Sequence, residues 1–177
     1  MEEQHSFVIT GANSYLGRSL ANHLSSTESN LVFLTSRTPY DFSELEKKPN
    51  VKYLPNIDLL NENHLETLKQ NIEKFIPNKF NVINSLGYFR AHEPFENTDI
   101  PEARKMMESQ FMTLYGVVYS LLPLLKERKG GHIIAFSCNS VKYRYPYMAS
   151  FTAAKAAVES LIGTIANEFG KYGINAN

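Results

Sequence analysis

The sequence predicts a doubly wound, three-layer α/β/α domain on a parallel sheet, and three observations predict it. Short apolar runs bounded by turn formers alternate with segments of helical spacing. The first run leads through a glycine-containing turn directly into a helix. A length of 177 residues suits one domain with a sizeable core, so residues 1–177 are expected to form a single unit.

Taken in order, residues 7–10 form the first apolar run and 31–35 the second; 51–54 is a weaker third, 80–84 the fourth and 132–137 the fifth. The runs at 31–35, 80–84 and 132–137 read as strands buried on both faces. Between the runs lie Leu16, Leu20 and Leu24, then Leu65, Leu68 and Ile72. A long helix follows over 101–126, carrying Met107, Phe111, Leu114, Val118, Leu121 and Leu125. A last helix over 152–169 carries Val158, Leu161, Ile162 and Ile165. Parallel strands need crossover helices, and the crossovers are right-handed, so this alternation fixes the class. Residues 94–101 are a turn-rich approach to the long helix and not a domain boundary.

Eighteen Lys+Arg against eighteen Asp+Glu give a net charge of +0, which supplies no long-range field for nucleic acid or anionic lipid. A single Cys excludes an internal disulfide framework. The N-terminus is acidic and no apolar run approaches the ~18 residues of a membrane span, so a cytoplasmic location is expected, with neither membrane nor nucleic acid as partner.

The chemistry begins at Gly11-Ala12-Asn13-Ser14-Tyr15-Leu16-Gly17, a strand–turn–helix context suited to a dinucleotide's pyrophosphate. Gly11 permits a tight turn, Gly17 permits close helix–strand packing, and the helix start offers free N–H groups. The middle glycine is replaced. Read as G-x-x-G-x-x-G the substitute is Ser14; read as G-x-x-x-G-x-G it is Tyr15. The first reading is the milder departure and is preferred. After the second strand come Ser36 and Arg37, where an acidic residue would hold a ribose 2′-hydroxyl. An Arg there accommodates a 2′-phosphate instead, which favours NADP(H) over NAD(H).

With these residues in view the chain resembles the short-chain dehydrogenase/reductase family, with its Rossmann-type fold, from about Phe7 to the last residue. The loop is similar to the family's T-G-A-N-G-[FY]-[IL]-G variant. Asp58 and Leu59 follow the third strand like the family's adenine-contacting Asp, and Asn84-Ser85-Leu86-Gly87 stands where the family has N-N-A-G. The resemblance implies an oxidoreductase that moves hydride between a nicotinamide and a carbonyl or alcohol. It also implies a Tyr-x-x-x-Lys pair, a Ser after the fifth strand and an Asn in the long helix. Lys155 matches the Lys, but Phe151 occupies the Tyr position, Cys138 the Ser position and Gln110 the Asn position. Phe has no ionisable proton, so the main acid is absent. Tyr143, Tyr145 and Tyr147 precede the helix as possible substitutes. Cys138 also admits a nucleophile reading, but no His is paired with it in sequence, and packing is the simpler role. His64, His92 and the other His residues lack ligand spacing, so no metal site is expected.

The sequence ends at residues 173–177, where the family opens its sixth strand, so the resemblance implies a sheet lacking the last two strands. It also implies a homodimer or homotetramer through helices 101–126 and 152–169. Two function classes stand: an oxidoreductase with a degraded proton relay, and a non-catalytic cofactor-binding or structural subunit.

Overall fold

A computed structural model describes residues 4–89 and 93–177. Six strands, all pairing in parallel, make one sheet in the order β3-β2-β1-β4-β5-β6. They are β1 (Ser6–Thr10), β2 (Leu31–Thr35), β3 (Val51–Leu54), β4 (Asn81–Asn84), β5 (Gly131–Ala135) and β6 (Ile174–Ala176). The helices are α1 (Tyr15–Leu24), α2 (Ser43–Glu46), α3 (Glu62–Phe75), α4 (Ile100–Met107), α5 (Thr113–Glu127), α6 (Ser140–Tyr143) and α7 (Ala149–Phe169). The chain first builds outward from β1 to β3 and then restarts on the other side of β1. That reversal opens a crevice at the carboxyl ends of β1 and β4.

Alternating side chains along each strand feed two cores. Ile9, Val32 and Leu34 meet Ala21 of α1, with Phe42, Leu45 and Tyr53, on one face. Val8, Phe33, Val82 and Ile133 meet Leu68, Leu121 and Ile162 on the other, under α3, α5 and α7. Each fully buried side chain of this size contributes roughly 1.5–3 kcal/mol.

Four expectations are corrected. The sheet has a sixth strand: Ile174–Ala176 pairs with β5 through Gly131↔Ile174, His132↔Asn175 and Ile133↔Ala176. Three residues carry no readable period, and it is the open edge of β5 that orders them. β5 is not buried on both faces, since Ile133 is buried while His132 and Phe136 are exposed. The core that includes α1 draws its strand residues from β1, β2 and β3, which leaves β5 packed on one side among the described residues.

The long helix is not uniform either. α4 and α5 are joined by a π-helical turn over Glu108–Met112, with Gln110 inside it. A π turn adds a residue without changing which broad face is apolar, so periodicity does not register it. α4 itself starts where chemistry dictates: the Asp99 carboxylate accepts the Glu102 N–H at 2.7 Å, and Pro101 occupies the first turn. α7 begins at Ala149, three residues earlier than its spacing suggested, and so carries Phe151 and Lys155 one turn apart.

Candidate functional site

β1 ends at Thr10 and the chain turns through Gly11 at φ +70°. A Cβ there would lie 2.7 Å from Cγ of Leu86, and one on Gly17 would lie 2.5 Å from the Gly11 carbonyl oxygen. Both glycines are therefore required by close approach. Ser14 is different: its φ of −68° and ψ of 161° suit any residue. Its hydroxyl accepts the Gly17 N–H at 2.9 Å and donates to Ser85 Oγ at 3.3 Å. Ser14 is thus the N-cap of α1, a role that its small size alone does not suggest but that a Ser directly before a helix signals. The N–H groups of Tyr15 and Leu16 have no partner among the described residues, and both side chains are exposed. Orphan donors at the positive end of a helix form an anion site.

Asn84 and Ser85 stand behind this loop, not on the cleft wall. Asn84 Oδ1 accepts the Thr10 hydroxyl at 2.6 Å, locking β4 to β1. Ser85 Oγ lies 2.8 Å from the Thr10 carbonyl oxygen and 3.1 Å from that of Gly11, bonding the loop from beneath. Expected as cofactor contacts, both act here as buttresses of the loop.

The other expected residues converge. Gly11, Asn13, Ser36, Arg37, Asp58, Leu59, Leu86 and Gly87 line one cavity of about 260 Å³ at the crevice. That is near the lower end of small-molecule sites. Ile57, Leu59 and Leu86 offer apolar walls for a flat base, and Arg37 offers an exposed cation. Together with the orphan N–H groups this donor set fits a dinucleotide. The Asp58 N–H donates to His64 Nδ1 at 3.1 Å, which gives His64 a structural task. Sequence reasoning missed Tyr88 and Lys105, which join the cleft wall with the Lys105 ammonium 4.0 Å from the centre of the Tyr88 ring. Nothing in their spacing marks them, because only folding brings α4 against the segment after β4.

Residues 5–177 match the sequence profile of the short chain dehydrogenases. The chain belongs to that family. An uncharacterized oxidoreductase of Schizosaccharomyces pombe is 30% identical over 91% of this chain and 54% of its own length. An oxidoreductase of Botryotinia fuckeliana is 28% identical over 94% of this chain and 61% of its own length. The chain therefore spans little more than half the length of these curated relatives. Among solved structures, a short-chain type dehydrogenase/reductase from Mycobacterium ulcerans superposes with a TM-score of 0.88 at 18% identity, covering 99% of this chain and 66% of that one. An NADPH-bound carbonyl reductase from chicken fatty liver gives 0.84 at 21% identity, covering 99% and 76%. At these identities the structural matches establish the fold.

Around the end of β5, this family member brings Lys155 near Phe136, Cys138 and Phe151. Lys155 is buried, and its ammonium donates to the Phe136 carbonyl at 2.6 Å. Burial pushes its pKa down, with the nearby Cys138 sulfur opposing. Phe151 turns its ring edge-on to Phe89, centroids 5.1 Å apart, with Lys155 Nζ 5.7 Å from the Phe151 ring centre. Cys138 is half-buried, its thiol lies 3.6 Å from Asn139 Oδ1, and its pKa is lowered from the ordinary thiol value chiefly by the neighbouring Ser140, whose buried hydroxyl has no hydrogen bond of standard geometry among the described residues. The neighbouring Ser137 cannot stand in for it freely, because its hydroxyl donates to the Glu159 carboxylate.

Gln110 is buried and donates to the Tyr88 carbonyl at 2.6 Å, beside Gly87. Its Oε1 has no partner among the described residues. Its amide is thus committed to the Tyr88 backbone through Nε2. All three tyrosines are exposed; Tyr143 and Tyr145 stack on each other, and Tyr147 also lines a small cavity with Phe151 and Phe89.

Among the described residues no group of three or more His, Cys, Asp or Glu could hold a metal; His92 lies outside them. Among the described residues no helix is long and apolar enough to cross a membrane.

Proposed function

We propose that this family member binds NADP(H) and is an oxidoreductase-like protein whose carbonyl–alcohol chemistry is weak or absent for want of an acid. The observation that carries the reading is Phe151 one helical turn before the buried Lys155. When bound, a nicotinamide supplies the hydride itself. The chain's own part would be to hold the cofactor and to move one proton. Holding is well provided for: the unpartnered Tyr15 and Leu16 N–H groups would bind an anion, Gly11 and Gly87 line the cleft, and the Leu59 and Leu86 side chains would cover a base. Arg37 on the open rim supports NADP(H) over NAD(H).

Proton movement is not provided for. Phe151 offers none, Tyr147 shares its cavity but is largely exposed, the Cys138 thiol is a poor donor for orienting an oxygen, and Gln110 is turned to the Tyr88 carbonyl. Losing positioned proton transfer costs ~10² to 10⁴ in rate. Lys155 donates to the Phe136 carbonyl, and by resemblance its role is to hold the nicotinamide ribose.

The single domain is proposed to assemble as a homodimer or homotetramer in the cytoplasm. Exposed Tyr115 and Tyr119 on α5, with Met112 in the π turn before it, support that assembly. On α7, by contrast, Val158, Ile162 and Ile165 pack into the domain core, so its outer face offers mainly small residues. Calorimetry with NADPH and NADH, followed by a panel of aldehydes and ketones, tests the whole reading. Micromolar NADPH binding with slow or no NADPH oxidation is expected. Rapid turnover by the unaltered chain would overturn the missing acid, and failure to bind either nucleotide would overturn the cofactor reading.

A further inference from the structure

The segment after β2 contains a hydrogen-bond chain whose proton directions are all determined. The Tyr40 N–H donates to the Tyr53 hydroxyl oxygen at 3.0 Å. The Ser36 hydroxyl donates to the Thr38 carbonyl at 2.8 Å. Each hydroxyl has one proton, so the 2.7 Å contact between Tyr53 and Ser36 can only be Tyr53 donating to Ser36. The chain therefore runs Tyr40 to Tyr53 to Ser36 to Thr38, and it stands on a buried ring: Tyr53 packs edge-on against Phe42 at 4.8 Å.

Two straps tie the same segment to the phosphate loop. Asn13 Nδ2 donates to the Thr38 carbonyl at 3.2 Å, and the Arg18 guanidinium donates to the Tyr40 hydroxyl at 2.9 Å.

The Ser36 proton is thus used inside the protein and is not available to a ligand. What faces the cleft is the next turn of chain. Arg37 and Thr38 are exposed, line the cleft, and have backbone N–H groups without a partner among the described residues. We infer that Tyr53 is a positioning residue that presets the turn at Arg37 and Thr38 as a cradle for a 2′-phosphate, and so sets the preference for NADP(H). This rests on the NADP(H) reading above and goes beyond it, because Tyr53 touches no ligand and acts only through Ser36 and the Tyr40 backbone.

The test is the ratio of the NADPH and NADH dissociation constants, measured by calorimetry on the full chain. Any loss of folded protein scales both constants alike, so the ratio isolates recognition of the extra phosphate. Tyr53→Phe keeps the ring and deletes the hydroxyl; it should weaken NADPH by about tenfold while NADH holds within about twofold. Ser36→Ala breaks the chain one link further on and should raise the ratio likewise, with the double variant raising it no further. Equal weakening of both cofactors, an unchanged NADPH constant, or additive effects in the double variant would overturn the inference. A starting chain that does not prefer NADPH overturns the NADP(H) reading itself, a failure visible before any variant is made.

Discussion

Gly17→Ala is the sharpest probe of how the cleft is built. The added methyl would sit 2.5 Å from the Gly11 carbonyl oxygen, 2.8 Å from Ala12 Cα and 2.8 Å from Ser85 Oγ. Two of those three neighbours are backbone and cannot rotate away, so α1 must lift from the loop. Overpacking of this kind costs up to about 3 kcal/mol. Against it stands a helix-propensity gain of about 1 kcal/mol for Ala over Gly. The net loss of about 2 kcal/mol corresponds to a melting temperature roughly 4–8 °C lower for a chain of this size. The same shift moves the Tyr15 and Leu16 N–H groups, so NADPH binding should fall with it.

Gly163→Ala is the internal control. It makes the same chemical change in the middle of α7, where a methyl meets nothing within 4 Å. There only the propensity gain of about 0.5–1 kcal/mol remains, and the melting temperature should rise by roughly 1–4 °C. Thermal melts followed by circular dichroism, with calorimetric titration of NADPH, read both variants. A Gly17→Ala chain that melts and binds like the unaltered one would refute the close-packing argument.

Other perturbations check other parts of the molecule. Phe151→Tyr returns an ionisable hydroxyl to the helix turn before Lys155, and NADPH oxidation with a carbonyl panel should rise by a factor of ~10² or more if the missing acid limits the rate. No gain would place the deficit elsewhere. Thr10→Val removes the hydroxyl that bonds buried Asn84 Oδ1 and should destabilise the chain by about 1–3 kcal/mol in urea titrations. The Cys138 thiolate is favoured by Ser140, so the pH midpoint for iodoacetamide alkylation should lie below that of an unstructured cysteine, and Ser140→Ala should move it upward. A midpoint unmoved by Ser140→Ala would remove Ser140 as the cause.

The site was partly legible in the linear order of residues. Gly11, Arg37, Asp58 and Gly87 could be assigned to one cleft because each follows the end of a parallel strand, and all such ends lie on one edge of the sheet. Asn84 and Ser85 satisfy the same rule, yet their side chains turn inward to Thr10 and Gly11. Position along a strand fixes which end a residue occupies but not which neighbour satisfies its polar atoms. Gln110 illustrates the same limit, since its place on the long helix was clear and the π turn that aims it at Tyr88 was not.

The sequence by itself determined the architecture, the glycine turn into α1 and the absence of a tyrosine at Phe151. These depend on hydrophobic period, backbone freedom and residue identity, all of which are local. Only the tertiary structure decided that Ile174–Ala176 joins the sheet, that Ser14 caps a helix and that Tyr53 holds Ser36. A hydrogen bond is settled by which donors and acceptors folding brings within about 3 Å of each other, and those partners are drawn from strands and loops far apart in the chain.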